Sequence, residues 1–131
     1  MSMKNREKLA GKILFINTAE NDSLIAVFDA EEKIGQVIIK NNSDLSEKLL
    51  FEINKMIKKA KVKIDGISVF PGPGLYTGLR VGITCANFLS LSFGVPLFSA
   101  DCNGKIISPV NDFVLPIYFS DAKITKENPK V

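Results

Sequence analysis

The sequence predicts an α/β fold: a mixed five-stranded sheet in the order βββαβαβ, flanked by helices. Three apolar runs follow one another at hairpin spacing near the start of the chain. Two longer segments of helical character come next, each followed by a short apolar run. Between one such run and the second helical segment lies FPGPGLYTGLRVG, residues 70–82, with four glycines and two prolines.

The elements follow in order. KILFIN (12–17), SLIAVFDA (23–30) and KIGQVIIK (33–40) are strands, joined by TAEND and EE as hairpin turns. In NNSDLSEKLLFEINKMIKKAK (41–61), Ser43 offers an N-cap, Asp44 and Glu47 fall in the first turn, and lysines crowd the end. That charge order suits a helix dipole. Leu45, Leu49, Leu50, Ile53, Met56, Ile57 and Ala60 form its apolar face. Phe51 falls on the polar side, either as a scattered surface aromatic or as an anchor for a partner. KIDGISVF (63–70) is apolar enough for a central strand. A second helix is expected from about Leu79 to Phe93, stopped by Gly94 with Pro96 beyond it. VPLFSA (95–100) is the fifth strand. DCNGKIISPVND has weak helix character at best, and FVLPIYFSDAKI (113–124) reads as one more possible strand. Residues 1–11 form a charged N-terminal tail, 12–120 the single domain and 121–131 a polar C-terminal tail.

Composition excludes several functions. With 46% hydrophobic and 24% charged residues the balance is that of an ordinary globular domain. A net charge of +3, concentrated in the tails and one helix, implies no broad nucleic-acid surface. Histidine is absent, which removes the commonest general base and transition-metal ligand. Cys85 and Cys102 form no CxxC pair and read as reduced thiols of a cytoplasmic chain. The opening MSMKNREKLAGK lacks an apolar core, so no secretory signal is expected. Residues 81–100 carry no charge, yet Asn87, Ser90, Ser92, Gly94 and Pro96 interrupt them; a buried helix and a strand are expected, not a membrane span.

The glycine-rich loop admits two chemistries. Gly72 and Gly74 permit close backbone approach, and Thr77 can N-cap the following helix. Free amides around Gly78 and the charge of Arg80 could then hold an anion. Neither GxxxxGK[ST] nor GxGxxG is present, however, and a tight turn with capping is the commoner use of such a loop. The element order matches the ribonuclease-H-like arrangement used by actin-type nucleotide-binding proteins, and order alone selects no function.

GPGLYTGLRVG (72–82) followed by CANFLSLSFGVPL (85–97) resembles the bacterial TsaB (YeaZ) family, whose loop reads roughly GPGSFTGLRIG before an alanine-rich helix ending in G-[IV]-P. ILFINTAENDSLIAVF (13–28) is similar to that family's first strand, turn and second strand, where Asp-Thr-Ser is usual. The likeness runs from Lys12 to Asp101. It implies an actin-like fold, of which two lobes are usual in the family and one is expected here, and a role in making N6-threonylcarbamoyladenosine at position 37 of tRNA. There TsaB is a non-catalytic companion that binds and stabilises the catalytic paralogue TsaD, with the ATPase TsaE joining them, so that tRNA is met only indirectly. No cofactor, metal or catalytic residue is implied for this chain. Asn17 stands where the family has aspartate, and a neutral amide adds no charge to a metal–phosphate site. Gly74-Leu75 is closer to the TsaD loop, Thr77-Gly78-Leu79-Arg80 to the TsaB loop, and Phe88 replaces a small residue. TsaD holds its metal with a histidine pair, which this chain lacks.

The second helix adds a residue-based reason to expect a partner. Val81, Cys85, Ala86, Phe88, Leu89 and Phe93 are assigned to its core side, and Ile83, Thr84, Asn87, Ser90 and Leu91 to an uncharged outer flank. A surface helix of a monomer carries charge there, so this flank and Phe51 are the expected partner surface, with a homodimer as the substitute when the partner is absent. The competing functions are an actin-type ATPase or kinase fragment binding nucleotide at the loop, and a two-metal nuclease using Asp29, Glu31, Glu32 and Asp65. Both need charge near position 17.

Overall fold

In the computed structural model, residues 11–42 and 44–118 are described. Six strands form one sheet: β1 (Lys12–Asn17), β2 (Ser23–Asp29), β3 (Glu32–Ile39), β4 (Gly66–Val69), β5 (Leu97–Ala100) and β6 (Ile106–Val110). Their order is β3-β2-β1-β4-β5-β6. The β1–β2, β2–β3 and β5–β6 pairs are antiparallel, while β1–β4 and β4–β5 are parallel. The helices α1 (Leu45–Ala60) and α2 (Tyr76–Phe93) supply the two crossovers. This is the expected α/β arrangement, with six strands instead of five.

Strand position follows composition. The largely apolar β1 and β4 are buried on both faces at the centre, whereas the mixed sequence of β3 lies at an edge. Leu14 stands opposite Val27 and Ile67 in this register. Leu14, Ile16, Ile25, Val27, Ile67 and Val69 share one core with Leu45, Leu49 and Ile53 of α1 and Leu79, Ile83, Ala86 and Leu89 of α2. A second cluster contains Phe15, Ala26 and Ala100, with Phe28 and Phe70 against it. Phe15 and Phe28 meet edge to face at 6.2 Å.

Four local expectations are corrected. β6 occupies a stretch read as weak helix. Asn103-Gly104 makes its hairpin, with Gly104 at φ 96°, and Pro109 is tolerated because β6 is an edge strand needing no further donor. The segment 113–118 forms no strand beyond an isolated bridge between Gly74 and Tyr118; the rest of the proposed 113–124 strand lies outside the described residues, as do residues 1–10 and 121–131 of the expected tails. Thr77 is not a cap: α2 begins at Tyr76 after the extended residue Leu75, whose carbonyl accepts the amide of Leu79 at 3.0 Å. At α1 the cap position is Asp44, at φ 53° and without a side-chain cap bond; Ser43 lies outside the described residues. Gly94 ends α2 in the left-handed conformation, as its position predicts.

Candidate functional site

The glycine-rich loop is pressed onto the turn that follows β1. Leu75 N–H donates to the Ala19 carbonyl at 2.7 Å, and Thr18 Oγ1 donates to the Gly78 carbonyl at 2.6 Å. A Cβ on Gly74 would come within 2.8 Å of Ala19 Cα, and one on Gly82 within 2.8 Å of Thr18 Cγ2. Glycine at these positions therefore serves chain-to-chain contact, leaving no gap between loop and turn. Gly72, at φ 110°, is backed by Ile117, whose amide donates to Pro71 at 2.7 Å. Thr77 is exposed in the first turn of α2. Arg80 is committed elsewhere: Nη1 donates to Tyr76 Oη at 2.9 Å, with the guanidinium 5.3 Å from that ring.

Asn17, where the family resemblance predicts aspartate, is buried and uses both ends of its amide. Oδ1 accepts the Ala19 amide at 3.0 Å, and Nδ2 donates to the Cys102 carbonyl at 3.0 Å. The second bond clips the end of β1 to the β5–β6 turn. Asp101 shapes that turn by accepting the amides of Lys105 and Asn103, each at 2.9 Å. The Lys105 amide is the main reason its carboxyl titrates below the usual range. The acidic residues weighed for metal chemistry have other engagements or places. Asp29 pairs with Lys12 at 3.1 Å, Asp65 accepts the Lys12 amide at 2.9 Å, and Glu31 and Glu32 sit at the β2–β3 turn. Among the described residues, no group of three or more His, Cys, Asp or Glu is arranged to hold a metal.

The helix pair carries the open surface. A groove of about 520 Å³ runs between α1 and α2, lined by Leu50, Tyr76, Arg80, Thr84, Cys85 and Phe88 among others. A second depression of about 400 Å³ shares Leu50 and Phe88 and adds Phe51 and Phe93. Phe51 is 62% exposed, Phe88 57% and Leu91 76%. Cys85 lies buried in the groove floor, and burial pushes its thiol up to about 12.

The outer flank expected on α2 is corrected in three places. Ile83 is buried at 3% because it belongs to the arc of α2 that faces the sheet with Leu79 and Ala86. Asn87 is turned to the chain itself: its amide donates to the Val114 carbonyl at 3.1 Å and accepts the Val114 amide at 2.9 Å. Ser90 donates to the Val95 carbonyl at 2.7 Å, closing the helix end. Thr84 and Leu91 are exposed. Phe88, assigned to the core side, faces out, and so does Leu50, assigned to the apolar face of α1. The i, i+4 ladder Tyr76, Arg80, Thr84, Phe88 was the available signal, since two polar members mark its stripe as solvent-facing.

A family model described as TsaD, tRNA N6-adenosine threonylcarbamoyltransferase, matches residues 35–100, half of the chain. The chain belongs to the TsaD family. Both TsaD and TsaB proteins are among the relatives. A tRNA threonylcarbamoyladenosine biosynthesis protein TsaB from Bacillus subtilis is 29% identical over 113 residues, covering 76% of this chain and 49% of that protein. A tRNA N6-adenosine threonylcarbamoyltransferase from Persephonella marina is 29% identical over 105 residues, covering 66% and 30%. YeaZ from Pseudomonas aeruginosa shares the fold, with a TM-score of 0.59 at 20% identity over 70% of this chain and 44% of that one. The resemblance to TsaB (YeaZ) is therefore matched by a TsaB sequence, and the YeaZ structure shares the fold. This chain spans less than half the length of each of these three proteins. Among the described residues no helix is long and apolar enough to cross a membrane.

Proposed function

We propose that this chain is a non-catalytic scaffold of the TsaB type, docking through the α1–α2 groove onto the matching helices of a TsaD-type threonylcarbamoyltransferase that makes N6-threonylcarbamoyladenosine in tRNA. The observation that carries this reading is the groove. α2 has a single charge, Arg80, and exposes Phe88 and Leu91 beside Leu50 and Phe51 of α1. Exposed aromatics with little charge are the composition of an interface centre. The amide of Asn17 supports the non-catalytic part, because a neutral side chain held by backbone at both ends brings no negative charge to a metal–phosphate group. An ATPase of the TsaE type is a further partner in this reading, and self-association through the groove is the substitute when the TsaD-type protein is absent.

The test is co-purification with a TsaD-type protein from the same organism, using Phe88→Arg and Leu91→Arg. Both positions are exposed, so each variant keeps its thermal stability to within about 0.5 kcal/mol. Each arginine would bury an unpaired charge in the contact, and association should weaken by at least about tenfold. Binding of both variants at wild-type strength would remove the groove from the interface. Tight magnesium-dependent ATP binding by the chain alone would favour the kinase-like alternative.

A further inference from the structure

Beside the charged tails, one short stretch of this molecule gathers cationic residues without acidic ones. Residues 55–63 hold five of its 17 cationic side chains and none of its 14 acidic ones. The other 122 residues therefore carry 12 cationic and 14 acidic groups, a net −2 against +3 for the whole chain. In the structure, Lys55, Lys58 and Lys59 lie on the last two turns of α1, Lys61 is its C-cap, and Lys63 follows just before Ile64 enters the core. All five are exposed. Only Lys55 has an acidic partner among the described residues, Glu52 at 3.4 Å; Lys58, Lys59, Lys61 and Lys63 make no ion pair there. The C-terminal dipole of α1 attracts cations only in its last turn, so it accounts for Lys58, Lys59 and Lys61 but not for Lys63 beyond the helix. Four exposed lysines within six residues, with no ion pair among the described residues, make a local positive potential that favours an anionic partner.

We infer that Lys58, Lys59, Lys61 and Lys63 form a local contact for the phosphate backbone of RNA, at the rim of the proposed docking groove, so that tRNA would be met directly here and not only through the partner, as the family resemblance implies. The rim position comes from the helix itself: Phe51, Asn54 and Ile57 of α1 line the depression beside Phe88, and the lysines continue from them. A surface of lysines without polar groups aimed at base edges positions a backbone and reads no sequence. The choice of RNA among polyanions rests on the proposed role in tRNA modification; the charge cluster does not.

The test titrates fluorescein-labelled unmodified tRNA with the chain alone and follows anisotropy from 50 to 200 mM KCl. Sequence-independent binding with Kd about 10⁻⁴ to 10⁻⁶ M is expected, and about four phosphate contacts weaken it roughly 50- to 150-fold over that salt range. The quadruple Lys→Gln variant at positions 58, 59, 61 and 63 should bind at least about tenfold more weakly at 50 mM, with a salt slope flatter by about 3. Lys33→Gln with Lys105→Gln, on other parts of the surface, should change affinity less than about twofold. Circular dichroism confirms that each variant is folded. Equal binding and slope in the quadruple variant would overturn the inference, as would no salt-dependent tRNA binding by the wild type. Lysine-dependent binding to phosphatidylserine vesicles without tRNA binding would also overturn it, in favour of a membrane surface. Co-purification of the quadruple variant with the TsaD-type protein reports on the scaffold separately, so either proposal can fail while the other stands.

Discussion

Replacing Asn17 by aspartate restores the residue usual in the family, and the structure predicts that it damages this chain. The carboxylate keeps the acceptor for the Ala19 amide, at 3.0 Å, but loses the Nδ2 donor to the Cys102 carbonyl. Losing that bond and leaving a part-buried carbonyl without its donor costs about 1–3 kcal/mol. Burying a charge beside that carbonyl adds to this, for roughly 3 kcal/mol at neutral pH. At about 4 °C per kcal/mol, the melting temperature falls by roughly 10 °C. The pH dependence separates this cause from a simple loss of contacts. Burial against a carbonyl raises the folded-state pKa of the new carboxyl above its unfolded value of about 3.9. Stability relative to wild type is therefore retained below about pH 4, where the protonated acid can donate to Cys102, and lost as pH rises through the folded-state pKa. Asn17→Ala, which deletes both bonds and adds no charge, should lose about 2 kcal/mol at every pH. The assay is thermal unfolding by circular dichroism from pH 3.5 to 8, each variant against wild type at the same pH. An Asn17→Asp protein as stable as wild type at pH 7, or one stabilised by magnesium and nucleotide, would refute the clip and make position 17 a ligand seat.

Gly82→Ala should lower stability by about 1–3 kcal/mol, read by urea unfolding, because its Cβ would drive α2 away from Thr18, which is 1% exposed and bonded to Gly78. An unchanged midpoint would mean that the turn after β1 yields freely to the helix. In a thiol titration with Ellman's reagent at pH 8, the exposed Cys102 should react in the native protein and Cys85 only after denaturant is added. Burial raises the Cys85 thiol to about 12, leaving on the order of 10⁻⁴ of it as thiolate. Two equally fast thiols would contradict the packing of the groove floor.

The fold was legible where pattern and period agree. The apolar character of KILFIN marks a strand and that of KIDGISVF a central one, and the lysine-rich end of α1 and Gly94 after α2 mark both helix ends. Reading failed where a short element gains its identity from a neighbour. β6 pairs with β5 although Pro109 weakens its signal, and α2 starts earlier than expected because the Ala19 carbonyl fixes Leu75.

Hydrophobic period and the GPGLYTGLRVG spacing are local properties, so the α/β class, the helix and loop order and the family can be read along the chain. Which uncharged residues are free to meet a partner depends on three-dimensional packing. Ile83, Asn87 and Leu91 look alike on a helical wheel, yet one enters the core, one clamps Val114 and one faces water. The physical reason is that exposure depends on what the rest of the chain packs against a helix, and the covering segment at 113–114 is distant in sequence and irregular in form.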